Sequence, residues 1–243
     1  MVDFDKIWVE KYRPTTLDDI ILDERTLKQV NEFEDEIPNL LFVGNPGTGK
    51  TTLARILVND VLRCNYLYIN ASDESGIDTI RHNITNFAQT KSFDGKVKVI
   101  ILDEADGLTT QAQGALRNTM ETYAKYCRFI LTANYKHKII PAVQSRCQAL
   151  DIKPVVQLAV KRCYGILKNE KINVPEEQRK KFVQLVKRHF PDLRKTINEL
   201  QKNVIDSELC IISVTGDNEL LEAVYKKIAS KQCLEARKYL IEN

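Results

Sequence analysis

None of the six cysteines, at positions 64, 127, 147, 163, 210 and 233, stands in a C-x-x-C pair. The spacing of a structural zinc site is therefore absent. A disulfide framework is not expected in a chain this long without a secretory signal. No apolar run approaches the ~20 residues that a membrane-spanning helix needs, so no membrane partner is expected. The opening residues Met1-Val2-Asp3-Phe4-Asp5-Lys6 are acidic and polar, unlike a signal peptide. Reduced thiols in a cytoplasmic protein are the expectation, with the host cytoplasm as the compartment if the source is viral and the nucleus if it is eukaryotic. Charge of one sign is also scarce. A net charge of +3 does not by itself argue for nucleic acid, so any DNA contact must come from local clusters. Internal repeats and low-complexity segments are missing too.

What is present is a chain of 243 residues with 43% hydrophobic and 28% charged content. That suits one large globular domain and a small one. Its most informative stretch is Gly44-Asn45-Pro46-Gly47-Thr48-Gly49-Lys50-Thr51, which spells G-x-x-x-x-G-K-T. The apolar run Leu40-Leu41-Phe42-Val43 before it reads as a buried strand. Thr52 to Val58 after it has helical spacing. Strand, glycine-rich loop and helix together define a phosphate-binding loop. The glycines let backbone N–H groups converge on one centre, and the helix N-terminus adds positive potential there. Lys50 would reach the β- and γ-phosphates of ATP, and the Thr51 hydroxyl would ligate Mg²⁺.

Through residue 154 strand-like and helix-like segments alternate. Strands are expected at Leu40 to Val43, Tyr66 to Asn70, Val97 to Leu102, Phe129 to Ala133 and Ala149 to Ile152. Helices are expected at about 52–63, 76–89, 109–124 and 138–145. This pattern predicts an α/β fold, a doubly wound parallel sheet of P-loop NTPase type. Beyond Pro154 the pattern turns helical, at about 155–170, at 176–189 after Pro175, and at 191–204 opening with Pro191. The expected division is a nucleotide-binding domain over 1–154, a small helical domain over 155–216 and a helical tail over 217–243.

The run Val99-Ile100-Ile101-Leu102 ends in Asp103-Glu104-Ala105-Asp106. Ligand sites of parallel sheets lie at the C-terminal ends of the strands. There Asp103 would hold Mg²⁺, and Glu104 would orient and deprotonate the attacking water. Hydrolysis of ATP is therefore expected, not binding alone. Asn134 ends another strand at the same edge. It could contact the γ-phosphate or the water, or be an ordinary turn residue, and spacing does not choose. Arg146 could be a solvated charge or an arginine aimed at a neighbour's γ-phosphate, and composition does not choose either.

Six motifs in order now point to one family. They are Trp8-Val9-Glu10-Lys11-Tyr12-Arg13-Pro14, the phosphate loop, Asn70-Ala71-Ser72-Asp73, Leu102-Asp103-Glu104-Ala105-Asp106, Thr132-Ala133-Asn134 and Ser145-Arg146-Cys147. Over about residues 7 to 215 the chain resembles the sliding-clamp-loader AAA+ ATPases of the replication factor C type. Phe190-Pro191-Asp192-Leu193-Arg194-Lys195-Thr196 looks closest to the large subunit of the phage clamp loader.

The resemblance implies an AAA+ domain followed by a helical lid. It implies that Val9, Glu10, Lys11, Tyr12 and Ile21 line the adenine pocket, and that the loop from Gly44 to Thr51 with Thr52 holds the phosphates. It makes Arg194 the lid arginine at the γ-phosphate, Asn134 a phosphate or water contact and Arg146 a finger for the neighbouring subunit. Asn70 is implied as a restraint on Glu104. Arg81, Thr109 and Thr110 are implied to meet the DNA backbone, and the helix around Gln111 to Tyr123 to offer Leu116, Met120 and Tyr123 partly to the clamp. The implied partners are a ring-shaped sliding clamp, primer–template DNA and other loader subunits.

The implied activity is ATP hydrolysis, stimulated by DNA and clamp, that opens the clamp and loads it on primed DNA during replication. The alternative is a non-catalytic ATP-binding scaffold subunit. Family subunits continue into a helical collar that holds the subunit ring, and this chain ends at Asn243, where the collar would start. A collar encoded elsewhere, a fragment and a different mode of assembly all remain open on sequence.

Overall fold

A computed structural model describes residues 6–33, 37–72, 77–90 and 97–211, the side chains of 77–81 excepted. Five strands run parallel: β1 (Leu40–Val43), β2 (Tyr66–Asn70), β3 (Lys98–Asp103), β4 (Cys127–Ala133) and β5 (Gln148–Asp151), in the order β2-β3-β4-β1-β5. Every residue of β1 and β3 is buried. Continuous burial, not alternation, is what helices on both faces of a parallel sheet produce. On one face Phe42, Val99, Ile101 and Ile130 pack against Leu53 and Leu57. On the other, Ile100, Leu102 and Phe129 pack against Ile84, Leu116 and Met120.

The crossovers carry α3 (Lys50–Ile56), continued by a π turn over Leu57–Val61, then α4 (Ile77–Gln89), α5 (Thr110–Thr122) and α6 (Pro141–Gln144). Two departures from the expected helices have clear causes. The helix after the phosphate loop starts at Lys50, not at 52, because Gly49 takes a left-handed turn (φ +94°) directly before it. The helix expected at 138–145 is a 3₁₀ turn, Lys136–Lys138, and the short α6. Pro141 donates no N–H and holds Ile140 extended.

Two earlier helices, α1 (Trp8–Lys11) and α2 (Glu24–Asn31), precede the sheet. After it come α7 (Val156–Asn169), α8 (Glu176–His189), α9 (Leu193–Lys202) and a hairpin of β6 (Val204–Ile205) and β7 (Glu208–Leu209). The start of α9 lies past Pro191, because the Asp192 carboxylate caps it by accepting the Lys195 N–H. Its core gathers Ala159, Cys163, Ile166, Phe182, Val186 and Leu200. Trp8 and Ile21 from the N-terminal segment join that cluster. The Trp8 N–H also donates to Gln201 Oε1 at 3.0 Å, so this segment is tied to α9.

One expectation is corrected by packing. Leu116 and Met120 are 3% and 2% exposed and belong to the sheet-facing side of α5, and Tyr123 is half-buried against the same cluster. Their i, i+4 spacing puts Leu116 and Met120 on one stripe, which the sheet claims. Tyr126, just past the helix, is 61% exposed. The expected tail over 217–243 lies outside the described residues.

Candidate nucleotide site

The loop from Gly44 to Gly49 runs off the end of β1 and curls under α3. Gly44 has no room for a side chain, since a Cβ there would lie 2.6 Å from the Ile152 carbonyl oxygen. Gly47 has φ +72°, and a Cβ there would lie 1.9 Å from Asp192 Oδ1. The α9 end of the lid thus rests directly on the loop, and Leu193 N–H donates to the Gly47 carbonyl at 3.1 Å. One cavity is lined by Pro46 to Thr52, Asp103, Glu104, Asn134 and, from the lid, Arg162, Leu193 and Arg194.

Lys50 is 8% exposed. Its Nζ donates to the Gly44 and Asn45 carbonyls at 2.9 and 2.8 Å and to Asn134 Oδ1 at 2.8 Å. Burial lowers its pKa, and the Asp103 and Asp106 charges oppose that. The ammonium therefore sits in a ready-made cradle of acceptors, and Asn134 reaches the site by orienting it. Asp106 fixes Asn134 in turn, because its Oδ2 accepts the Asn134 and Tyr135 N–H groups, both at 3.2 Å. Asp106 Oδ1 is buried without a partner.

Asp103 is 7% exposed and is held by hydroxyls from three elements. Thr51 Oγ1 lies 2.7 and 3.0 Å from its two oxygens. Thr132 donates to Oδ1 at 2.6 Å and Tyr68 to Oδ2 at 2.8 Å. Burial and the Asp103 carboxylate push the Tyr68 phenol up to about 12. A carboxylate and a hydroxyl converging at this distance form the all-oxygen donor set that suits a hard divalent cation such as Mg²⁺.

Glu104 follows at φ +55°, a left-handed backbone that few non-glycine residues adopt. Its N–H is held by Thr132 Oγ1 at 3.0 Å. Its side chain is exposed, and Oε2 accepts the Ser72 hydroxyl at 2.7 Å. The Ser72 N–H donates to Asn70 Oδ1 at 3.2 Å. Asn70 therefore connects to Glu104 through Ser72, which sequence reasoning did not single out.

At the base end of the cavity the N-terminal residues divide. Val9, Tyr12 and Ile21 line it, together with Arg13, Pro14 and Ile20. Glu10 and Lys11 do not. Glu10 pairs with Arg13 at 2.8 Å and Lys11 with Glu170 at 2.6 Å. On one turn of helix Val9 and Tyr12 share a face, while the charged ends of Glu10 and Lys11 between them turn to these other partners. Tyr12 also donates to Glu170 at 2.7 Å. Arg162, unread in the sequence, joins Asp19 at 2.9 Å and the Tyr12 carbonyl at 3.3 Å.

Desolvation and the Glu170 bond raise the Tyr12 pKa to about 12, with Arg162 opposing. The folded state then holds a proton that the unfolded chain has lost. The stability this supplies is whole below the ordinary tyrosine range near pH 10 and disappears as pH rises through about 12. Tyr12→Phe should flatten the fall of the urea midpoint across that alkaline window. An unchanged slope would mean that the phenol gains nothing from Glu170.

Arg146 lies outside this cavity, on the turn between α6 and β5, with Nε 2.8 Å from Glu121 Oε1 and Nη1 2.7 Å from the Ala142 carbonyl. Thr109 caps α5 by accepting the Ala112 N–H at 3.2 Å, and Thr109 and Thr110 are both exposed. Arg81 lies within α4, its side chain outside the described residues. Cys127, Cys147, Cys163 and Cys210 are free thiols, and burial raises Cys147 and Cys163 to about 12. Cys233 lies outside the described residues. Among the described residues no His, Cys, Asp and Glu cluster suited to a metal occurs, and no helix is long and apolar enough to cross a membrane.

Comparison with known proteins agrees with this geometry. Residues 40–154 match the model of the ATPase family associated with various cellular activities. Residues 151–210 match the lid domain of the sliding-clamp-loader large subunit AAA+ ATPase. The replication factor C small subunit of Archaeoglobus fulgidus is 40% identical over 97% of this chain and 77% of its own length. Replication factor C subunit 3 of Saccharomyces cerevisiae is 42% identical over 80% of this chain and 58% of its own. Among solved structures, the RuvB Holliday junction branch migration motor of Thermotoga maritima superposes with a TM-score of 0.62 at 19% identity. It covers 79% of this chain and 64% of that one, a likeness of fold alone. A lid that rests on a phosphate loop, two acids at the end of β3 and relatives at this identity lead to one placement: the chain belongs to the replication factor C small-subunit family of clamp-loader AAA+ ATPases.

Proposed function

We propose that this chain is a clamp-loader subunit whose ATP turnover is stimulated by primer–template DNA and a sliding clamp, and which works beside other loader subunits. The observation that carries the proposal is the single cavity in which Lys50, Thr51, Asp103, Glu104 and Asn134 meet the lid residue Arg194. Residues 1–154 form the nucleotide domain and 155–216 the lid, with the Trp8 segment packed on the lid side. The adenine stacks among Val9, Tyr12 and Ile21, and the loop amides face the phosphates. Thr51 and Asp103 would hold Mg²⁺, which would supply positive charge to the phosphates. Glu104 receives the proton of the attacking water, and Lys50, Asn134 and Arg194 surround the transferring phosphoryl group.

DNA enters at the exposed first turn of α5, where Thr109, Thr110 and backbone N–H groups meet phosphates without reading sequence. Arg81, carried on α4, is proposed to take part in the same DNA contact. ATP closes the subunit ring, DNA frees Glu104 from the Asn70–Ser72 hold, and hydrolysis ejects the loader. Such work places the protein in a soluble compartment, the cytoplasm or a eukaryotic nucleus.

The test is steady-state ATP hydrolysis by the purified chain, alone and then with primer–template DNA, its clamp and partner subunits. Strong stimulation is expected. Flat, slow turnover in every mixture, with ATP still bound, would overturn the loader assignment in favour of a scaffold. Binding has its own check. Removing the Lys50 ammonium takes its bonds from the Gly44 and Asn45 carbonyls and Asn134 Oδ1 and leaves the incoming phosphates without their cation, a loss of about 2–5 kcal/mol. Lys50→Ala should therefore weaken a fluorescent ATP analogue roughly 30-fold to several thousandfold in an equilibrium titration. Wild-type affinity in that variant would remove Lys50 from the site.

A further inference from the structure

Of the three hydroxyls on Asp103, Thr51 belongs to the phosphate loop and Thr132 to the Thr132-Ala133-Asn134 motif, and Tyr68 belongs to no motif read in the sequence. In the parallel register Tyr68 pairs with Ile101 and Asn70 with Asp103. Tyr68 and Asp103 are therefore diagonal neighbours two residues apart along the same face. A short side chain at position 68 could not span that diagonal, whereas a phenol does, and its oxygen comes to 2.8 Å from Asp103 Oδ2. On the far side of β3, Thr132 donates to Oδ1 at 2.6 Å from β4. The two flanking strands thus grip the two carboxylate oxygens separately.

The phenol is itself steered. Thr51 and Arg55 lie four residues apart on α3, on one helical face. Thr51 reaches Asp103, and the Arg55 guanidinium sits 4.6 Å from the centre of the Tyr68 ring. Packed between the guanidinium and the buried face of the sheet, the ring has little freedom to swing its oxygen off Asp103.

We infer that Tyr68 is a positioning residue for the divalent cation of the ATP site, setting the roll of the Asp103 carboxylate together with Thr132. The inference rests on the proposed role of Asp103 as a metal-holding group. Thr51 and Asp103 then present their oxygens in one fixed arrangement before any metal arrives. A carboxylate left to rotate loses that preorganisation. Loss of such an outer hydrogen bond typically weakens metal affinity about 10- to 100-fold.

The experiment uses the full chain with Mn²⁺ as a paramagnetic probe, titrated in the presence of saturating ADP and read by loss of the free-ion resonance. Signal is counted per nucleotide-bound chain, so poor recovery of a variant does not blur the result. Tyr68→Phe keeps the ring beneath Arg55 and removes only the oxygen. It should raise half-saturating Mn²⁺ about tenfold or more, while ADP affinity measured in EDTA stays as in the unmodified chain. An unchanged Mn²⁺ midpoint in Tyr68→Phe, with Asp103→Asn raising it, would overturn the role of Tyr68 and leave the metal site standing. An unchanged midpoint in Asp103→Asn as well would overturn the metal reading beneath it. A fall in metal-free ADP affinity with no Mn²⁺ shift would make Tyr68 a packing residue only.

Discussion

Arg146→Ala should abolish the part of ATP turnover that appears only when subunits assemble, while the isolated chain binds ATP as before. An arginine supplied across an interface to the transferring phosphate contributes about 10³–10⁵ in rate. Three observations support expecting that here. Arg146 is absent from the lining of its own chain's cavity, so any contact with a γ-phosphate must be made to a neighbour's nucleotide. It is carried on a tight turn, its N–H bonded to the Val143 carbonyl at 3.0 Å and its carbonyl accepting Asn39 Nδ2 at 3.2 Å, so its backbone is firmly placed. Its side chain forks onto Glu121, with the two partners 33% and 51% exposed.

A surface pair of that kind is worth about 0–1 kcal/mol, so losing it should barely change folding stability. The measurement is turnover of the assembled mixture with clamp and primed DNA, set beside Glu121→Ala. The Glu121 variant breaks the same ion pair but frees the arginine, and its turnover should not fall. Full stimulation in Arg146→Ala would reduce that residue to an ordinary surface charge.

Much of the fold was legible because its signals are local. The apolar run 40–43, the loop Gly44 to Thr51 and the acids after Leu102 each declare themselves within eight residues. The rest depends on contacts between distant parts of the chain. Arg162 meets Asp19 across 143 residues, and Tyr12 meets Glu170 across 158, with no periodicity to announce either. Ser72 reaches Glu104, and Tyr68 reaches Asp103, only because β2 and β3 pair in parallel with Asn70 opposite Asp103.

At Glu10 and Lys11 the sequence was silent for a different reason. Side chains at successive positions of a helical turn point in different directions, and both charges turn to partners that no spacing announces. The buried stripe of α5 is a similar case. Apolar residues at helical spacing satisfy a sheet before they are free for a partner.

Glu104→Gln should retain ATP binding and lower turnover by about 10²–10⁴, the usual contribution of a positioned general base. The geometry separates the two adjacent acids into different tasks. Asp103 is buried, and hydroxyls of Thr51, Thr132 and Tyr68 occupy both its oxygens. It is well placed to hold a cation and poorly placed to take a proton from water. Glu104 is exposed to the cavity, and its side chain meets the Ser72 hydroxyl alone among the described contacts. Its left-handed backbone, pinned by Thr132, turns the side chain away from the path of β3 and toward the space in front of the loop. Strained backbone of this kind persists where the surroundings impose it.

Glutamine preserves the size of the side chain and can still accept from Ser72, so folding and nucleotide affinity should be untouched. Only the capacity to receive a proton is lost. Single-turnover hydrolysis beside equilibrium ATP binding reads the two properties separately. Retained binding with lost turnover assigns the proton to Glu104. Unchanged turnover would sink that assignment, and since Asp103 is fully engaged, it would move the search for a base to a residue of a neighbouring subunit.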